Sequence, residues 1–419
     1  MPAASRAGLN MNALLRDPRA RRLIAANLTS SVGSGVTIIA VPWLLVNRPG
    51  GSQLYGWATA LTTLAIFLFA PYYGAWVDRH SRKTMLLLGE CFGAAATLAM
   101  ALTGLFRGEY ATWQLVTVYF CGMFYYTLHF PAKFAFVQQI FAREHYQSLT
   151  SMMEIQGQTA SMLAGGLASL LIDHVSLTTI LLLDASTYLV SLALQSGIPY
   201  EATHRTAETD AKAPGAWQAV GEAWDWLRER PALSLFLLCS FVPFLCIMVS
   251  NYLYPIYVSH ALHASPAVYG RGEMVFAAGA IAAGLLTPHL TARFSHARTV
   301  VALSVVFMAG LALTWVWPRI GPFYAAMLLQ GLGNAGVRVA RNVIVLEAVP
   351  NALMGRVHVF FLVFERSLRT LLILLMTALV DTRGAPFCFA LLLLVSLAAF
   401  AGLLRSRPAA EHAQAAPAH

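Results

Sequence analysis

TMLLLGECFGAAATLAMALTGLF, residues 84–106, carries a single charged side chain, Glu90, in an otherwise apolar or small-residue run. A bilayer core about 30 Å thick takes about 20 such residues in one helix, so the stretch reads as a membrane span with one acid inside it. The rest of the chain repeats the pattern. Of 419 residues, 58% are hydrophobic and only 11% charged, against about 25% charged in an ordinary soluble domain. The chain is therefore read as an all-α integral membrane protein. A formal charge of +9 would suggest nucleic acid in a soluble chain, but in a membrane protein its meaning depends on which side of the bilayer the charges lie. The expected partner is the lipid bilayer, with no nucleic acid.

Working outward from 84–106, twelve such segments are found, near 23–46, 54–77, 84–106, 112–132, 150–172, 177–197, 232–256, 269–290, 299–317, 320–343, 357–379 and 386–404. An even number puts both termini on one side. The N-terminal tail, alternate loops and C-terminal tail take twenty of the 28 Lys and Arg, Lys133 and Arg341 among them. The opposite loops take only Arg48, Arg107, Arg319 and Arg383, and Arg271, Arg338, Arg366 and Arg369 stay inside spans. By the positive-inside rule both termini are cytoplasmic. RDPRARR at 16–22 precedes the first span without a small-residue cleavage site, so that span is read as uncleaved. The cysteines, Cys91, Cys121, Cys239, Cys246 and Cys388, are odd in number and lie in apolar runs, which argues against a disulfide framework.

The longest polar interruption, about 199–231, divides the chain into an N-terminal six-helix half (1–198), a cytoplasmic linker, a C-terminal six-helix half (232–404) and a cytoplasmic tail (405–419). In the linker, AWQAVGEAWDWLRERP sets Trp217, Val220, Trp224 and Leu227 at helical spacing. That helix either lies in the membrane interface or packs on the cytoplasmic face. The halves look like repeats: FPAKFAF at 130–136 leaves span four as RVARNVI at 338–344 leaves span ten, aligning Lys133 with Arg341. PYYGAWVDRHSRK after span two has a weaker echo in PHLTARFSHAR after span eight, where Ser295 aligns with Asp78. Duplicated six-helix units are a transporter architecture with substrate bound near mid-membrane.

GAWVDRHSRKT at 74–84 puts Gly74 at the end of span two, Asp78 and Arg79 at the turn, and Arg82 and Lys83 at the start of span three. It resembles the Gly-x-x-x-Asp-Arg-x-x-Arg-Lys loop signature of the major facilitator superfamily, and the resemblance covers the whole chain. It implies two pseudo-symmetric six-helix halves and alternating access, with Gly74, Asp78, Arg79 and Arg82 as the gating motif. The Pro-Ala-Lys after span four, Asp184-Ala-Ser in span six and Tyr269-Gly270 opening span eight are similar to the branch holding the enterobactin exporter and related drug and siderophore effluxers. Span five, with GQTASMLAGG at 157–166, departs from it by lacking the glycine-proline pair of many proton antiporters.

LVFERSLRTLL, residues 362–372, concentrates Glu365, Arg366 and Arg369 in span eleven. A mid-span Arg facing lipid costs about 2.5 to 3.5 kcal/mol, so these guanidiniums are expected to face protein or water. Span ten adds Gly331, Asn334, Arg338 and Arg341 or Asn342 at three- and four-residue intervals. In the fold the resemblance implies, spans one, four, seven and ten line a central cavity. Bases then outnumber acids there, and because an Arg fork matches a carboxylate bidentately, the reading is an anionic cargo bound by Arg338, Arg366, Arg369 and Asn334. The alternative is that Glu365 and Arg369 simply pair and steady the bundle. Span four offers Tyr119, Tyr125, Tyr126 and His129, and span one offers Asn27, Ser30, Ser34 and Thr37, for hydroxyls or amides of the cargo.

No phosphate-cradling loop is present: Lys83, the one lysine followed by Thr, is preceded by Arg82 rather than Gly. Transport is therefore expected to be secondary and proton-driven. Acids inside spans are the candidate carriers, Glu90, Glu154, Asp184, Glu273 and Glu365, with Glu365 favoured because its protonation would free Arg369. His260 and His263 have metal-like spacing but no third ligand, so no metal or other cofactor is expected. No nucleophile and base cluster points to an enzyme. The reading is a monomeric inner-membrane exporter of a small acidic metabolite, a carboxylate-type siderophore being the specific expectation. The rivals are multidrug efflux of amphiphilic compounds and a non-transporting membrane scaffold.

Overall fold

A computed structural model describes residues 16–141, 146–200, 216–350 and 353–415. The first part of the linker, 201–215, lies outside the described residues, as do the surroundings of Gly74 and the side chains of Asp78, Arg79, Glu154 and Trp217. Every regular element among the described residues is helical: α1 (Pro18–Val46), α2 (Gly51–Arg79), α3 (Arg82–Arg107), α4 (Thr112–Ile140), α5 (Tyr146–Leu171), α6 (Leu177–Ser196), α7 (Ala216–Arg228), α8 (Pro231–Ser240), α9 (Val242–Ile256), α10 (Pro266–Arg293), α11 (His296–Val316), α12 (Ile320–Ala348), α13 (Met354–Arg383) and α14 (Ala385–Ala415). With α8 and α9 counted together and α7 set aside, they match the twelve predicted spans. The break at Phe241 between α8 and α9 has a local cause: Pro243 has no N–H to give the Cys239 carbonyl, and its ring crowds that turn. Pro255 similarly precedes a π turn, Tyr257–Ala261.

Among the described residues, eight helical stretches are long and apolar enough to cross a membrane by themselves. Neither α12 nor α13 is among them; these two hold Asn334, Arg338 and Arg341, and Glu365, Arg366 and Arg369. Their insertion has to be carried by neighbours that shield the polar stripe.

The chain divides into two compact units, Met1–His204 with Ser265–Met274, and Arg205–Ala264 with Val275–His419. In the first, α1 packs against α6, α5 and α4, and α3 packs against α6 and α4. The segment Ser265–Met274 belongs here through a glycine contact: a Cβ on Gly165 of α5 would meet the Gly270 carbonyl oxygen at 2.6 Å. In the second unit α11 packs along α12 and α14, and α13 along α7. The α11–α12 seam is equally close, since a Cβ on Gly333 would lie 2.6 Å from the Phe307 nitrogen.

Three expectations about individual residues change. Lys133 and Arg341, counted above with cytoplasmic loops, are buried inside α4 and α12, because both helices continue past the apolar edge of their spans. The stripe on α7 is also displaced. Ala223, Trp226 and Leu227 are the buried residues, joined to Phe236, Val357 and Phe361, while Trp224 is about half exposed and stacks on Phe360 at 6.1 Å. An ion pair from Glu222 to Arg356 fastens α7 to the start of α13. This helix is therefore packed on the second unit.

Candidate functional site

In the first unit four helices contribute polar residues at helical spacing to one interior: Asn27, Ser30, Ser34 and Thr37 from α1, Glu90 from α3, Tyr125, His129 and Lys133 from α4, and Asp184, Tyr188, Ser191 and Gln195 from α6. All are buried except His129, which is half-buried. Intervals of three and four residues keep each set on one face of its helix, and α1 carries the stripe over about 15 Å at 1.5 Å per residue.

Glu90 is fully buried, and its hydrogen bonds are unevenly shared. Its Oε1 accepts from the Tyr125 hydroxyl (3.1 Å), the Ser191 hydroxyl (2.9 Å) and Gln195 Nε2 (2.8 Å). Its Oε2 has no hydrogen-bond partner among the described residues. His129 Nδ1 stands 3.7 Å from Oε1, and His129 Nε2 meets Asn27 Oδ1 at 3.1 Å. Asp184, 1% exposed, is divided in the same way: Oδ2 accepts from the Thr37 hydroxyl at 2.7 Å, and Oδ1 has no hydrogen-bond partner among the described residues. Tyr125 and Tyr188 lie between the two acids, edge to face at 4.7 Å. A small cavity of about 20 Å³ borders Asp184, Thr37, Ser34 and Tyr188, enough for about one water.

The polar cluster of the second unit is cationic. Glu365 sits between two guanidiniums, with Oε2 3.4 Å from Arg366 Nε and Oε1 3.9 Å from Arg369 Nη1. Glu365 and Arg369 are buried, whereas Arg366 keeps 22% of its side chain exposed. Arg341 lies over the Phe241 ring at 3.6 Å and reaches the Asn342 side chain at 3.2 Å, but its Nε and Nη1 have no hydrogen-bond partner among the described residues. Asn334 is buried beside this stripe and Arg338 is half-buried.

The predicted site residues thus separate. Asn27, Ser34, Tyr125, His129 and Asp184 come together in the first unit; Asn334, Arg338, Glu365, Arg366 and Arg369 share the α12 and α13 stripes of the second. Tyr126 is 63% exposed at the surface of the first unit. Of the gating motif, α2 runs through Arg79 and α3 starts at Arg82, half-buried, after Ser81 caps it by accepting from the Thr84 N–H at 3.3 Å. Lys83 has a part that its place in the loop motif does not show. Its ammonium donates to the Ser196 and Ile198 carbonyls, 2.7 Å each, and Arg22 donates to the Gly197 carbonyl, so two cations hold the C-terminal end of α6. Glu90 was one of five candidate acids; its spacing to partners 35, 101 and 105 residues away is invisible until the helices pack.

This helical architecture defines a polytopic membrane transporter fold. The Major Facilitator Superfamily model matches residues 23–250 and 236–419, and the chain belongs to that family. It is 24% identical over 340 residues, 81% of this chain and 76% of the other, to an uncharacterized MFS-type transporter, YfiS, of Bacillus subtilis. Macrolide efflux protein A of Streptococcus pyogenes is 22% identical, covering 80% of this chain and 82% of its own. The multidrug efflux pump Tap of Mycobacterium tuberculosis is 23% identical, covering 80% of each. Among solved structures, a mutant form of the nucleoside transporter NupG superposes with a TM-score of 0.72 at 14% identity over 93% of this chain and 100% of its own. A bacterial homologue of the iron transporter ferroportin in an inward-facing state gives 0.72 at 15% identity, over 92% and 98%. These two share the fold. The chain is a multi-pass membrane protein and a secondary transporter of this superfamily.

Proposed function

We propose that this protein exports amphiphilic organic compounds across the bacterial inner membrane in exchange for protons, with both termini in the cytoplasm and Asp184 as a proton carrier. The observation that carries the reading is the Asp184 carboxyl, buried with one oxygen accepting from Thr37 and the other without a hydrogen-bond partner among the described residues. An ionised carboxylate in that setting is costly, which favours a group that takes up a proton when no cationic partner is present. Macrolide efflux protein A and the Tap pump support efflux and this cargo class. Tyr126, left exposed on α4, is the aromatic residue we assign to cargo contact. Buried Asn27 and Tyr125, and half-buried His129, are assigned instead to the polar interior. Glu365, held between two arginines, is assigned to charge compensation rather than to proton carriage.

The surplus of guanidinium in the second unit supports a second reading, export of an acidic compound such as a carboxylate siderophore by an enterobactin-exporter-like protein. Arg341, buried with two nitrogens that have no hydrogen-bond partner among the described residues, is its main support; Arg338, Arg366, Arg369 and Asn334 would hold the carboxylates. Everted vesicles with an acidified lumen and a pH-sensitive dye separate the two. Proton exit on adding ethidium or a macrolide, and none on adding citrate, is the expected result. Proton exit with citrate alone would transfer the assignment to the second reading, and no response to any of the three refutes both.

A further inference from the structure

The second buried acid of the first unit has no part in the reading above. We propose that Glu90 is a second proton site, coupled to Asp184 across the shared polar interior of that unit, so that the two carboxyls titrate as a coupled pair. The inference rests on the assignment of Asp184 as a proton carrier.

Three donors to Oε1, from Tyr125, Ser191 and Gln195, stabilise the carboxylate, whereas complete burial favours the neutral acid. Ionised, the same group has a bare anionic oxygen in a dry interior. What offsets that charge is also present: Lys133, buried on the same face of α4, acts electrostatically on Glu90. Both protonation states therefore have a structural complement.

The groups facing Glu90 are these. From α4 come Tyr125, His129 and Lys133; from α6 come Asp184 and Tyr188, both acting electrostatically on the site, with Ser191 and Gln195 neutral. From α1 come only neutral Asn27 and Ser30. Tyr73 of α2 meets α3 at Met85, more than a turn from Glu90.

Polar side chains occupy the interior between the two acids. The Tyr125 hydroxyl that donates to Glu90 is also 3.4 Å from Ser30 Oγ. Ser34 follows one turn along α1, donating to the Ser30 carbonyl at 2.8 Å. Ser34, Tyr188 and Thr37 then border the small cavity at Asp184, where a water would reach several polar partners. A proton that leaves Oε2 of Glu90 and arrives at Oδ1 of Asp184 turns the first acid into a carboxylate and the second carboxylate into an acid. The charge of the unit is unchanged and no electrons move.

The test is infrared spectroscopy of the purified full-length protein in liposomes over a pH titration, following the carboxylic-acid C=O bands. It needs no cargo. Glu90→Gln should remove one buried-acid band and Asp184→Asn another, and in each variant the midpoint of the surviving band should move by about one pH unit or more, as coupled sites require. Tyr125→Phe, which retains both acids, should shift the Glu90 band by removing one bond to its carbonyl oxygen. Should Glu90→Gln not yield folded protein, Glu90→Asp and Tyr125→Phe decide the matter. Bands indifferent to these changes, or two acids whose midpoints ignore each other, overturn the proposal. A coupled pair in a protein that moves no amphiphile would refute the cargo reading alone.

Discussion

Glu365→Gln isolates the largest electrostatic debt in the second unit. At an effective dielectric of about 20, unit charges at the observed 3.4 and 3.9 Å attract by about 4 to 5 kcal/mol each, most of which offsets desolvation. Removing the acid leaves two guanidiniums without it, and breaking a buried pair costs about 3 to 5 kcal/mol. Arg369 is the more deeply buried of the two, at 8% against 22% exposure, so it should account for most of that cost. Adding Arg369→Met to Glu365→Gln should therefore restore about 2 kcal/mol, leaving only the better-solvated Arg366 unmatched. In a cooperative unit of roughly 200 residues, that corresponds to a recovery of about 4 to 8 °C in Tm. Thermal unfolding of the purified single and double variants in the same detergent measures it. A double variant less stable than Glu365→Gln, or a Glu365→Gln protein within about 1 °C of wild type, refutes the argument.

Three further outcomes follow from the geometry. Gly333→Val should destabilise by at least about 1 to 3 kcal/mol, read as a drop in Tm, because its Cβ meets the α11 backbone at Phe307 and Leu303 rather than a movable side chain. Lys83→Met removes two bonds from the Ser196 and Ile198 carbonyls, so hydrogen exchange should speed up in the last turn of α6 and not in its first. Asp17 caps α1 by accepting from the Arg19 N–H at 2.7 Å. Burial pushes its carboxyl up, but the hydrogen bonds and charge of Arg19 outweigh this and hold it below the usual range. A depressed folded value means its contribution is complete above the unfolded value of about 4 and disappears as the pH falls through the folded one. Exchange protection at the start of α1 should accordingly weaken below about pH 4 in wild type, while Asp17→Ala should lose about 1 kcal/mol at neutral pH and show no such step.

The spans were legible because a bilayer imposes length and hydropathy together, and the 84–106 run meets both with one exception, Glu90. That exception marks the interior of the first unit. The α1 stripe of Asn27, Ser30, Ser34 and Thr37 was equally legible from its spacing, whereas the matching stripe on α6, from Asp184 through Tyr188 and Ser191 to Gln195, was overlooked though it too runs at three- and four-residue intervals. Helix ends were harder to place. Hydropathy ends where apolar residues end, yet α4 and α12 continue to Ile140 and Ala348, carrying Lys133 and Arg341 into buried positions. On α7, the tryptophans at 217 and 224 drew the stripe away from Ala223 and Trp226 on the face that packs, because the small Ala223 carries little hydropathy signal. In the cationic cluster Glu365 and Arg369 are buried, and the sequence could not show Glu365 lying between both arginines.

Proton movement per molecule of drug in liposomes, with purified protein and a pH-sensitive dye trapped inside, tests the central claim most directly. Asp184→Asn should abolish drug-driven proton movement while drug still exchanges across the membrane, and Glu365→Gln, where folded, should retain the wild-type ratio. Proton movement unchanged in Asp184→Asn, or lost only in Glu365→Gln, would contradict the assignment of proton carriage to the acidic interior of the first unit.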